Sequence, residues 1–122
     1  MPTESNPFTV RRPRHEALQD SACAVWVERI GRDAGAKHEA TLVDVSRLGL
    51  QVTLAVPLEA DEPLAIHIRH SQAGLSVALA ARARWQRQSP DGRWAVGCVF
   101  ERAIDPVVLG ELFLCGVLST QA

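Results

Sequence analysis

Six consecutive residues, Asp44-Val45-Ser46-Arg47-Leu48-Gly49, put a carboxylate, a hydroxyl and a glycine in one short stretch. An ionised carboxylate only accepts hydrogen bonds, and several at once. It can therefore take both the N1–H and the exocyclic amine of a guanine, with the serine hydroxyl adding a donor or acceptor beside it. Upstream, Arg11, Arg12 and Arg14 crowd together with only Glu4 before them. Planar guanidinium forks match phosphate oxygens and the O6/N7 edge of guanine, so this local positive excess calls for an anionic partner. A basic arm beside an Asp/Ser turn is the chemistry of a clamp for a guanine nucleotide. A plainer reading satisfies the same residues: Asp44 and Ser46 cap a tight reversal, Gly49 supplies a positive φ, and the arginines form a solvated tail.

Positioning these groups is the work of strands. Alternation of apolar and polar residues predicts strands over Ser21–Ile30, His38–Val45, Leu50–Val56, Pro63–His70, Leu75–Gln88 and Trp94–Phe100. On the fifth of these, Leu75, Val77, Leu79, Ala81, Ala83 and Trp85 share a face. Turn residues separate the runs, most clearly Ser89-Pro90-Asp91-Gly92. Asp105-Pro106 reads as an N-cap followed by proline at the first helical position. The apolar spacing Val108, Leu109, Leu112, Phe113, Gly116 and Val117 then predicts a short amphipathic helix ending near Leu118. Six short strands and one helix in an all-β chain point to a closed barrel or sandwich, because open edges invite aggregation. With 122 residues, 47 % of them apolar, the chain suits one domain with its own core. Residues 1–10 are read as a flexible arm and 11–122 as that single domain.

Other chemistries find little support. There is no GxSxG elbow, no phosphate-cradling loop and no GxGxxG, and tyrosine is absent. His67 and His70 would align on a helix, but on a strand residues three apart face opposite sides, which argues against a metal site. Asp61 and Glu62 are expected to be solvated in a loop. Cys23, Cys98 and Cys115 are odd in number, far apart and without a CxxC pair, so they read as reduced, buried, small apolar side chains. No apolar stretch reaches the roughly 20 residues of a membrane span, and the N-terminus carries no signal-peptide core. A cytoplasmic protein is expected. A net charge of −1 argues against sequence-blind nucleic-acid binding.

The arginine-rich arm, the first strand and the Asp44–Gly49 stretch, in the form DxSxxG, together resemble the PilZ domain family. Ala83-Arg84-Trp85, Asp91-Gly92-Arg93-Trp94 and Val96-Gly97-Cys98-Val99-Phe100 are similar to that family's last barrel hairpin, and Asp105–Leu118 to its C-terminal helix. The resemblance runs from about Arg11 onward. It implies a six-stranded antiparallel β-barrel with a C-terminal helix that binds the bacterial second messenger cyclic di-GMP and is not an enzyme. By position it implies binding roles for Arg11, Arg12 and Arg14 on the arm and for Asp44, Ser46 and Gly49 in the turn. Trp85 lies where some members stack an aromatic ring on guanine, although it also reads as a core residue. The arm departs from the family's pattern of two arginines separated by three residues: four residues beyond Arg11 and Arg12 lie His15 and Glu16, and four before Arg14 lies Val10.

Three functions follow. The first is a cyclic di-GMP receptor, needing no cofactor, that signals through an unidentified effector protein. The second is a degenerate PilZ-like adaptor that no longer binds the nucleotide and acts through protein contacts alone. The third, a barrel that binds RNA or DNA, is disfavoured by the charge balance and by the scarcity of aromatics. No membrane partner is expected.

Overall fold

The computed structural model describes residues 14–19, 22–31 and 33–119. The chain runs through β1 (His15–Glu16), β2 (Cys23–Arg29), β3 (Lys37–Val45), β4 (Gly49–Leu54), β5 (Pro63–His70), β6 (Leu75–Gln88), β7 (Trp94–Phe100) and α1 (Pro106–Leu114). Every pairing is antiparallel. The order β3-β2-β5-β6-β7-β4, with β4 returning to pair β3, closes a six-stranded barrel. No helix among the described residues is long and apolar enough to cross a membrane.

Alternation sets the inner wall. Val27, Val52, Leu54, Ile66, Ile68 and Val96 are fully buried, and their sequence neighbours face outward. Asp105 caps α1 by accepting from the Val107 N–H at 2.8 Å, with Pro106 in the first turn. Leu112 carries the helix's buried contact into the core. The helix ends at Leu114 rather than near Leu118, because Gly116 takes a φ of 79° and the Val117 N–H returns to the Leu112 carbonyl at 2.9 Å. Val117 and Leu118 still bury, and Leu118 bridges to Ala17.

Four further expectations need correction. A seventh strand exists: β1 pairs Glu16 with Asp44 and His15 with Val45, along the edge of β3 that β2 leaves after Ala40. At two residues it is too short for any periodicity to announce. Gly49 is not in the positive-φ region. It is required because a Cβ there would lie 2.2 Å from the Cys98 carbonyl oxygen, a contact no side chain can make. Glu62 is not solvated but buried, and its carboxylate takes both arms of the Arg29 fork at 2.6 and 2.7 Å. That hydrogen bonding raises the Arg29 pKa above its ordinary value, against the opposing effect of burial. Of the cysteines only Cys98 is fully buried, and Cys23 and Cys115 are half-buried.

Glu62→Ala leaves Arg29 charged at the barrel wall with the exposed Asp33 carboxylate at 3.9 Å to face it, and should cost about 3–5 kcal/mol by urea denaturation. The double change Arg29→Met with Glu62→Leu should recover most of that loss. Gly49→Ala drives a methyl into backbone that cannot yield and should cost about 1–3 kcal/mol in the same assay. Burial pushes the Cys98 thiol up to about 12, so at pH 8 it stays neutral. Iodoacetamide followed by mass spectrometry should then find Cys115 modified and Cys98 protected in the native protein.

Candidate functional site

The Asp44–Gly49 stretch joins the end of β3 to the start of β4. Ser46 closes it, its N–H donating to the Gly49 carbonyl at 2.8 Å and its hydroxyl donating to the same oxygen at 3.3 Å. Both lone pairs of that hydroxyl remain able to accept. The outer side of the turn is pinned to the end of β7 and the segment after it. The Phe100 N–H donates to the Leu48 carbonyl and the Ile104 N–H to that of Arg47, each at 2.8 Å. The turn is therefore a rigid element of the barrel end.

Two irregularities in the sheet flank it. Between Leu42 and Asp44 the β3–β4 register shifts, as does the β6–β7 register between Ala83 and Trp85. Each shift inserts one residue, Val43 and Arg84 respectively, and such bulges re-aim the side chains that follow. In β6 the effect is large. Ala83 opposes buried Cys98, but Trp85 opposes Gly97 and leaves the face of Leu75–Ala83. The expectation that Trp85 shares that apolar face fails here: its indole is 45 % exposed on the outside of the barrel. The ring lies over Gly97, where an added Cβ would fall 2.1 Å from the indole nitrogen.

These pairings make one continuous row across the outer surface. Glu16 opposes Asp44, Asp44 opposes Gln51, Gln51 opposes Gly97, and Gly97 opposes Trp85. Cross-strand partners share a face, so Asp44 and Trp85 sit on the same side of the barrel, their backbones three strand spacings or about 14 Å apart along the sheet. Beside the row opens a cleft of about 350 Å³, lined by Arg14, Ser46, Leu48, Gly49, Leu50, Arg84, Trp85, Gly97, Cys98 and Val99. Gly49 and Gly97 lie at its base, the first packed against the Cys98 carbonyl and the second beneath the Trp85 ring. Leu48, Trp85 and Val99 are exposed apolar surface. Arg14, just ahead of β1, donates to the Asp44 carboxylate at 3.0 Å, with its own side chain about half exposed and that of Asp44 only 16 % exposed.

Of the residues singled out from sequence, Arg14, Ser46, Gly49 and Trp85 line this cleft, and Asp44 joins it through Arg14. Arg11 and Arg12 lie outside the described residues, as do residues 1–10. Sequence reading passed over Arg84, Leu48 and Val99 as site residues. The first was hidden by the bulge. The other two were visible only as apolar positions next to the DxSxxG glycine and in the last strand. Elsewhere His67 and His70 sit on β5 facing opposite ways, and no cluster of potential metal ligands occurs among the described residues.

The family model described as PilZ domain matches residues 12–113. Among solved structures the chain is similar to the PilZ domain of YcgR from Escherichia coli with c-di-GMP, at 19 % identity and a TM-score of 0.62 over 86 % of each chain. It is also similar to the Bacillus subtilis inhibitor of motility MotI/DgrA, at 15 % identity and a TM-score of 0.57, over 87 % of this chain and 50 % of that one. No curated protein shows significant sequence similarity to the chain. With the barrel, the DxSxxG turn and the family match in agreement, the chain belongs to the PilZ domain family.

Proposed function

We propose that the chain is a receptor and adaptor for cyclic di-GMP in the bacterial cytoplasm, acting through a protein partner. The observation that carries this reading is the outer row that runs from a carboxylate at Asp44 to an exposed indole seated over Gly97, with guanidinium groups at the cleft. Support also comes from the likeness to a PilZ domain solved with that ligand. Asp44 and Ser46 hold the Watson–Crick edge of one guanine, Trp85 stacks against a base, Gly49 lets the ligand lie close to the backbone, and Arg11, Arg12 and Arg14 close over the phosphates. The chain performs no reaction in this scheme. Arm and ligand together form a changed surface, and ordering of a segment by a ligand is an established type of switch.

One observation favours the second reading, an adaptor that has lost the nucleotide. Arg14 already satisfies Asp44 at 3.0 Å, and the arm has no arginine pair at the family's usual spacing. Isothermal titration with cyclic di-GMP, with GTP as control, separates the two. The receptor reading expects micromolar or tighter affinity for cyclic di-GMP alone. Asp44→Ala should then weaken binding by about 10-fold or more, since bonds to charged groups contribute about 1.5–3 kcal/mol each. Trp85→Ala should weaken it about 5- to 150-fold, the range for one base-stacking contact of about 1–3 kcal/mol. No heat and no thermal shift at high ligand concentration would leave the adaptor reading standing.

A further inference from the structure

We infer that Arg84, on the wall of the barrel, is an anion-binding residue of the cleft and takes the place of the arginine that the arm lacks. The inference rests on the receptor reading and assigns to Arg84 the phosphodiester oxygens of the same ligand.

The β6 bulge creates this residue's position. Ala83 is held from both sides by the preceding loop, its carbonyl accepting from the Asp61 N–H at 2.8 Å and its N–H donating to the Glu62 carbonyl at 3.1 Å. The inserted residue follows at once, so Arg84 and Trp85, adjacent in sequence, both reach the cleft instead of alternating across the sheet. A flat aromatic surface and a charged fork therefore stand side by side, as a base and its attached phosphate stand in a nucleotide. Arg14 lies on the β3 side of the cleft, tied to Asp44, and Arg84 enters it from β6. Two guanidinium groups on opposite walls suit a ligand with two separated anionic centres.

Arg84 is also poorly committed to its neighbours. Its one ion pair among the described residues is with Asp61 at 3.5 Å, both side chains being more than half exposed, and such pairs hold weakly. By contrast Arg82, two positions earlier, is bound to Glu101 at 3.0 Å and donates to the Asp61 carbonyl at 3.0 Å, outside the cleft. Asp61 thus acts as a competitor that the ligand displaces. A phosphate accepts two parallel N–H bonds from an arginine fork, a geometry that lysine cannot reproduce.

The test is isothermal titration of the full chain with cyclic di-GMP at two salt concentrations. Arg84→Ala should weaken binding by about 10-fold or more and flatten its salt dependence, and Arg84→Lys should restore only part of the affinity. Asp61→Asn keeps a side chain that tolerates the local φ of 61° while removing the competing charge. It should tighten binding by about 2- to 4-fold. Arg87→Ala, which removes a charge on the same strand away from the cleft, should change affinity by less than about twofold. Unchanged affinity in Arg84→Ala while Asp44→Ala still abolishes binding would overturn the role of Arg84 and leave the receptor intact. No binding by the unsubstituted protein would overturn both.

Discussion

Strand β4 is paired on both edges, with β3 on one side and β7 on the other, and this double pairing closes the barrel. Closure is tightest at its first residue. There the backbone of Gly49 packs against the Cys98 carbonyl so closely that even a methyl group is excluded. A bulkier residue would force β4 from β7, and the turn from Asp44 to Gly49 would lose its anchor. A second glycine, Gly97 on β7 opposite Gln51, leaves room for the Trp85 indole. Absence of side chains at these two points lets the sheet close at Gly49 and lets the indole settle on the sheet at Gly97.

From that closure the rest of the site follows by small displacements. One inserted residue in β3 and one in β6 interrupt strict alternation on either side of it. They bring a carboxylate, an indole and a guanidinium to the outer surface without disturbing the core, because Leu42, Val45, Ala81 and Ala83 remain buried around them. The arm joins electrostatically. The Arg14–Asp44 pair is partly exposed, so it keeps the Arg14 side chain near the turn without locking it there. A ligand with its own anionic groups can take over Arg14 and leave Asp44 to accept from a base. In the proposed receptor, the rigid turn and the weakly held Arg14 side chain divide recognition between a fixed half and an adaptable half.

Much of this was legible in the residues. Period-2 patterning located six strands within a few residues, Asp105-Pro106 marked the start of the helix, and DxSxxG with the arm pointed to the family. What escaped had long-range causes. Glu62 is buried because Arg29, 33 positions away in sequence, meets it across the barrel wall, and nothing local to a loop carboxylate reveals that. The bulge at Arg84 is a property of two paired strands, so the alternation of β6 alone placed Trp85 on the wrong face. Strand β1 exists only because β2 stops pairing with β3 and leaves an edge to be covered. Gly49 was recognised as necessary, but the reason is a neighbouring carbonyl rather than its own φ. The end of the helix was misread: Gly116, counted within the apolar helical spacing, is its left-handed terminator, and the spacing beyond it belongs to a returning segment that still packs on the core.

The central claim is that cyclic di-GMP occupies the outer row between Asp44 and Trp85. It is tested most directly by titrating the ligand into ¹⁵N-labelled protein and following the backbone amides and the three indole N–H resonances. Trp26 supplies an internal reference, its ring stacked on His67 at 5.0 Å and its nitrogen buried on β2. The account predicts saturable shifts at the Trp85 indole and at the amides of Ser46, Gly49 and Gly97, with Trp26 unmoved. Binding that leaves those resonances in place, or that shifts Trp26 instead, would contradict it.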